Sequence, residues 1–225
     1  MNFFKNIKIK ILNKNYTKRD RWRFLEITNY KGNLLDVGCG NDSPYWTKKL
    51  YPNIIYTGID VGDYNQSKPN DADNYIIVKP EEFAESITNI PELFDTVISA
   101  HNLEHCNDRD GTLQAIIKVL KPGGFLYISF PTEKSVKFPK GRKYTLNYFD
   151  DKTHKEDPPK FKDVLKILKK NNMKILFSSK SYKPFLQWFV GFYKEKESKQ
   201  KKEVLFPWTW AFWGFESIIW ARKSK

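Results

Sequence analysis

Leu34-Leu35-Asp36-Val37-Gly38-Cys39-Gly40-Asn41-Asp42 decides the fold. An apolar run ends on a carboxylate, and two glycines follow before a helix can start at Ser43-Pro44, residues suited to an N-cap and a first turn. This pattern reads as a strand entering a tight turn at the mouth of a parallel sheet, where open α/β sheets bind nucleotides. A Cβ at Gly38 or Gly40 would keep the backbone away from a ligand. A glycine pair alone is weak evidence, but a second apolar run, residues 54–59, ends in Asp60, twenty residues after Gly40. A carboxylate there can accept hydrogen bonds from both hydroxyls of a ribose. A dinucleotide dehydrogenase would want a third glycine at Ser43, and it leaves Asp36 unexplained.

Working outward, the pattern predicts a helix over 18–29, strands at 33–37, 54–59, 75–78, 94–99 and 125–130, and a loop over 62–74. Helices follow at 43–50, 80–83, 109–120 and 160–171, and strands at 173–179 and 215–221. The run Phe94-Asp95-Thr96-Val97-Ile98-Ser99 has no clean alternation, as a strand covered on both faces should read. Pro122-Gly123-Gly124 reads as a turn into strand five.

Five blocks now stand in order: Asp36-Val37-Gly38-Cys39-Gly40, Gly58-Ile59-Asp60, Phe94 to Ser99, Leu103-Glu104-His105, and Leu120-Lys121-Pro122-Gly123-Gly124-Phe125-Leu126. Together they resemble class I S-adenosylmethionine (SAM)-dependent methyltransferases over residues 30–130. The resemblance implies an α/β fold: a Rossmann-like, seven-stranded, mostly parallel sheet flanked by helices. Its last strand is antiparallel between strands five and six, and an acceptor or lid insertion lies in the C-terminal half. It implies one domain over 1–225, with a SAM-binding half at 18–131, an acceptor loop and aromatic lid at 132–214 and a final strand at 215–223. The implied cofactor is SAM, leaving S-adenosylhomocysteine (SAH). Gly38, Cys39 and Gly40 would approach its amino-acid part, Asp36 would orient that turn and the ammonium group, and Asp60 would take the ribose. Glu81 and Phe83 stand where adenine is met, in place of the family's usual Asp-Ala pair. His101 and Asn102 would lie under the methionine moiety.

The chain has 225 residues and a net charge of +13. Residues 1–23 carry +7, residues 24–130 carry −7 and residues 131–225 carry +13. Basic ends around an acidic cofactor half fit either an anionic acceptor or ordinary solvated lysine. Cys39 and Cys106 are far apart and form neither a disulfide framework nor a zinc motif. No metal is expected. The first residues are broken by lysine too often for a signal segment, and no apolar run approaches a membrane span. A cytoplasmic protein is therefore expected.

Beyond Pro131 the resemblance loosens. Residues 132–158 form a long polar stretch, a length that often marks function. Three histidines exist in the chain. His154 is the expected general base on an acceptor hydroxyl, because an imidazole titrates near neutrality, with Asp151 holding it. Glu104-His105 is read as fixing the loop after strand four, with His105 next in line as base. The Asn147-to-His154 block is similar to one in methyltransferases of surface-polysaccharide biosynthesis, which implies a sugar or phosphorylated acceptor, phosphoramidate included, for capsule or other surface glycan. The alternatives are an RNA methyltransferase and a non-enzymatic, methyltransferase-like adaptor. Five of the seven tryptophans fall between 188 and 220. That enrichment leaves open a lid over a satellite core, a homodimer interface and a peripheral membrane contact.

Overall fold

Seven strands make one sheet in the order β3-β2-β1-β4-β5-β7-β6. The computed structural model describes residues 19–28, 32–64 and 71–225. The lysine-rich start of the chain, the ends of the expected 18–29 helix and the middle of the 62–74 loop lie outside them. The strands are β1 (Asn33–Val37), β2 (Ile55–Asp60), β3 (Asn74–Ile77), β4 (Phe94–Ala100), β5 (Leu120–Pro131), β6 (Met173–Ser179) and β7 (Glu216–Lys223). Strands β3, β2, β1, β4 and β5 pair in parallel, and β7 runs antiparallel between β5 and β6. This is the Rossmann-like sheet expected from the sequence.

The helices are α1 (Arg21–Ile27), α2 (Ser43–Leu50), α3 (Phe83–Thr88), α4 (Arg109–Lys118), α5 (Phe161–Lys170), α6 (Phe185–Lys201) and α7 (Trp208–Trp213). The β4 residues Val97 and Ile98 are fully buried, each on a different core cluster. A strand clamped by apolar layers on both faces needs no polar alternation, and each such side chain contributes roughly 1.5–3 kcal/mol. Helix α1 packs Phe24 and Leu25 beside Tyr127 and Trp220.

Some boundaries move for local reasons. Strand β5 starts at Leu120 because Leu120 already pairs with Phe94, and the register then shifts across the Pro-Gly-Gly bend. Asp42, not Ser43, is the residue before α2, with a left-handed φ of 62°. The 132–158 stretch is more ordered than a loop: it holds 3₁₀ turns at Glu133–Lys137 and Tyr148–Asp150. Asn147 closes it by donating to the carbonyls of Val136 and Phe138.

The sheet order reverses between β1 and β4. A crevice therefore opens beyond their carboxyl ends, between the loops that leave them. Gly38–Gly40 leave β1 there, and His101 and Asn102 leave β4.

Candidate active site

The β1 turn is held from beneath. Asp36 is buried, and its Oδ2 accepts from the Ser43 hydroxyl at 2.6 Å and the Tyr56 hydroxyl at 2.6 Å. Arg21 in turn donates to Ser43 Oγ at 3.0 Å. Burial pushes the Asp36 carboxyl up, against the pull of Arg21, Ser43 and Tyr56. Asp36 thus fixes the turn through the first residue of α2, which explains why Ser43 is not free to cap that helix. Cys39 is buried, its sulfur against Gly58.

Two glycines are needed for different reasons. At Gly38, φ is +71°, and an added Cβ would fall 2.4 Å from Asn102 Oδ1. The β1 and β4 turns touch there, with Asn102 itself buried and donating to Ser99 Oγ at 3.3 Å. At Gly40, φ is +55° and an added Cβ would meet nothing within 4 Å. The backbone is bare and open at that point, as a ligand cradle should be.

Asp60 faces the same opening. Its Oδ2 accepts from the Gly40 amide and its Oδ1 from the Val61 amide, both at 2.7 Å. Burial pushes the carboxyl above its ordinary range, against these two amides, the Tyr64 hydroxyl and the nearby His105 ring. A carboxylate has about four acceptor positions; the two amides and the Tyr64 hydroxyl take three, so one ribose hydroxyl can bond directly and a second would displace Tyr64. The residues present therefore fit an adenosine-bearing cofactor. Glu81 lies exposed on the 3₁₀ turn after β3, but the Phe83 ring packs in the main core at 5% exposure with Ile87 and Ile59. Phe83 serves packing and does not present its ring to a base.

On the β4 side, His101 takes a left-handed φ of 52°. Its Nδ1 lies 3.0 Å from Glu104 Oε1 and its Nε2 lies 3.2 Å from Glu216 Oε1. Burial pushes the ring down, but the two carboxylates outweigh it and hold its pKa up at about 10. His101 is thus an imidazolium stacked on Phe215. It stands on the wall of a ≈ 500 Å³ cleft also lined by Arg21, Tyr127, Tyr182, Trp210 and Glu216.

The long 132–158 segment comes back to the same place. The backbone amide of Lys155 donates to the Glu104 carbonyl at 3.1 Å. Arg109 fastens both sides, donating to the carbonyls of Leu103, Glu104 and Asp157. His105 and His154 then lie with ring centroids 4.8 Å apart, and His154 stacks on Tyr148 at 4.1 Å. His154 Nδ1 sits 2.6 Å from the Tyr148 carbonyl. A carbonyl only accepts, so Nδ1 carries the proton and Nε2 the lone pair. Burial lowers the His154 pKa, which makes the ring neutral at neutral pH.

Asp151 does not hold His154 as expected. Its Oδ2 is 3.8 Å from His154 Nε2, too long for a hydrogen bond, and its Oδ1 is occupied by the amide and hydroxyl of Thr153. The orienting group is the Tyr148 carbonyl, and no sequence signal marks it. Also unforeseen are Tyr56 and Glu216, which come from other strands than the residues they meet, and Tyr64, four residues after the Asp60 it bonds.

The aromatic segment divides in two. Trp210 and Trp213 pack with Leu146, Val204 and Phe215 in a satellite core. Phe185, Leu186, Phe189, Phe192 and Tyr193 remain exposed along α6. No helix among the described residues is long and apolar enough to cross a membrane.

Known proteins agree with this geometry. A family profile described as "Methyltransferase domain" matches residues 13–184. The chain is 34% identical over 103 residues to a ubiquinone biosynthesis O-methyltransferase of Saccharophagus degradans, covering 43% of this chain and 42% of that protein. It is 30% identical over 101 residues to the 27-O-demethylrifamycin SV methyltransferase of Amycolatopsis mediterranei, covering 41% of this chain and 36% of that protein. The chain thus spans under half the length of these two relatives. In fold it is similar to the plantazolicin methyltransferase BpumL in complex with SAH, with a TM-score of 0.58, 16% identity, and coverage of 90% of this chain and 80% of that one. With that profile matched over most of its length, and with the glycine turn and Asp60 in place, the chain belongs to the SAM-dependent methyltransferase domain family.

Proposed function

We propose that this protein transfers the methyl group of SAM to a hydroxyl oxygen of a small organic acceptor. Gly38, Gly40 and Asp60 would hold the cofactor, with Asp36 and Asn102 fixing the turn from below. SAM supplies, when bound, a methyl group on an excellent leaving group, so the protein's work is alignment and proton handling. A hydroxyl acceptor must lose its proton as the new bond forms. The Glu104–His105–His154 cluster handles that proton, with His154 offering a neutral lone pair on Nε2. This lone pair, locked by the Tyr148 carbonyl and close to the residues that follow β4, is the observation that carries the reading.

The names of the two relatives also describe O-methylation, of a demethylrifamycin and in ubiquinone biosynthesis. The sequence expectation named a sugar or phosphorylated acceptor of a surface glycan. What these share is a hydroxyl on a small molecule, and that class is the one we adopt. The cleft beside His101 and Glu216 suits the body of such an acceptor, with Trp210 and Tyr182 for an apolar face and Arg21 for a polar group.

The test is a mass-spectrometric screen of phenols, sugars and sugar phosphates with SAM and the purified chain. A gain of one methyl on oxygen in any of them supports the reading. Methylation confined to amines or to RNA contradicts it.

A further inference from the structure

Glu104 is the most unusual residue of the site. It is 1% exposed, and while its Oε1 is bonded to His101, its Oε2 is buried with no hydrogen-bond partner. A buried carboxylate oxygen without a donor is costly, more so than a neutral group in the same position. One ligand atom each from Glu104, His105 and His154 lie within 4.8 Å of one another. His154 has its Nδ1 proton on the Tyr148 carbonyl. His105 Nδ1 lies 2.9 Å from Thr153 Oγ1, and that hydroxyl lies 2.6 Å from Asp151 Oδ1. The carboxylate can only accept, so the hydroxyl donates to it and accepts from the ring. Each imidazole therefore directs its Nδ1 proton outward to a fixed oxygen, which leaves Nε2 as its donor atom toward a ligand.

We propose that Glu104, His105 and His154 bind a divalent transition-metal cation of the zinc type. The donor set, two imidazoles and one carboxylate, suits such a metal better than magnesium or calcium, which prefer all-oxygen shells. The two outward bonds, to the Tyr148 carbonyl and through Thr153 to Asp151, are the supports that orient and strengthen metal-bound histidines. Ligand atoms around zinc stand ~3.3 Å apart, so side-chain shifts on the order of 1 Å close the cluster. Three protein ligands leave a coordination position open, and a cation there gives the orphaned Glu104 oxygen its partner.

The proposal rests on the reading that this cluster handles the acceptor's proton, and it states how. With the His154 lone pair on the metal, the acceptor oxygen is deprotonated by coordination, its proton passing to solvent. The oxyanion then bonds to the methyl carbon as the carbon–sulfur bond breaks, and the electron pair leaves on sulfur.

The experiment uses the full chain without an affinity tag, stripped with a chelator and dialysed against buffered zinc. Metal content is then measured alongside SAH affinity by calorimetry. Wild type should retain one zinc per chain, and His105→Ala and His154→Ala should each bind it at least ~10-fold more weakly. SAH affinity within ~3-fold of wild type shows those variants are folded. If a variant loses SAH as well, the visible spectrum of cobalt(II)-loaded wild type decides. An imidazole-ligated spectrum supports the site, since the other histidine, His101, has both nitrogens on carboxylates. Wild type that retains neither metal, or variants that bind zinc as wild type does, overturn it. Wild type that binds zinc but no SAH would instead overturn the methyltransferase reading and leave the metal site standing.

Discussion

His101 Nδ1 and Glu104 Oε1 lie 3.0 Å apart, and the other ring nitrogen reaches Glu216 at 3.2 Å. One imidazolium thus ties the loop after β4 to the start of β7, 115 residues on. Its pKa is raised from 6.5 to about 10. A group raised in the folded state stabilises fully below its unfolded value, and that stabilisation is lost as pH climbs through the folded value. Stability should therefore fall between about pH 6.5 and 10. Urea midpoints at neutral pH and near pH 10 check this, and His101→Gln should flatten the dependence.

Tyr56→Phe removes one of two hydroxyls that serve the buried Asp36 carboxylate. Hydrogen bonds to charged groups are worth about 1.5–3 kcal/mol, and the variant should lose about that much unfolding free energy. Denaturant titration measures it, and an unchanged midpoint would remove Tyr56 from the support of the turn.

Gly38→Val should abolish SAH binding. Its Cβ would meet Asn102 at 2.4 Å on a backbone whose φ of +71° no β-branched residue tolerates. The turn must move, and the cradle with it. Calorimetry with SAH on the variant tests this, since a wild-type affinity would show that the turn does not touch the cofactor.

His154→Ala should lower turnover by ~10²–10⁴-fold, the range for losing a group that manages the acceptor's proton. SAH affinity should stay within a factor of ~3, because the 132–158 segment serves the acceptor side. Single-turnover kinetics on the acceptor identified by the screen would show it, and near-normal turnover would pass the role to His105.

What could be read from the sequence was local. Gly38 and Gly40 lie in the turn that leaves β1, and Asp60 is the last residue of β2, so the strand's end and the residue's role are one observation. Ser43 suits a cap by sequence, but its hydroxyl goes to Asp36 on another element. Phe83 looked available to adenine, but a helix that starts after β3 turns its first ring into the core. Asp151 looked like the partner of His154 by spacing alone, whereas the fold gives that bond to the backbone of Tyr148. The absence of a metal was expected because no single segment carries a ligand motif. Glu104 and His105 meet His154 only through the return of the 132–158 segment, fastened by Arg109.

The most direct test of the account is calorimetric titration of SAH into wild type and Asp60→Ala. Asp60 sits at the end of β2 beside the bare backbone of Gly40, and losing hydrogen bonds to its charge costs about 1.5–3 kcal/mol. Wild type should bind one SAH per chain, and Asp60→Ala should bind it ~10- to 150-fold more weakly. No binding by wild type, or equal binding by the two, would contradict the placement of the cofactor on which the account stands.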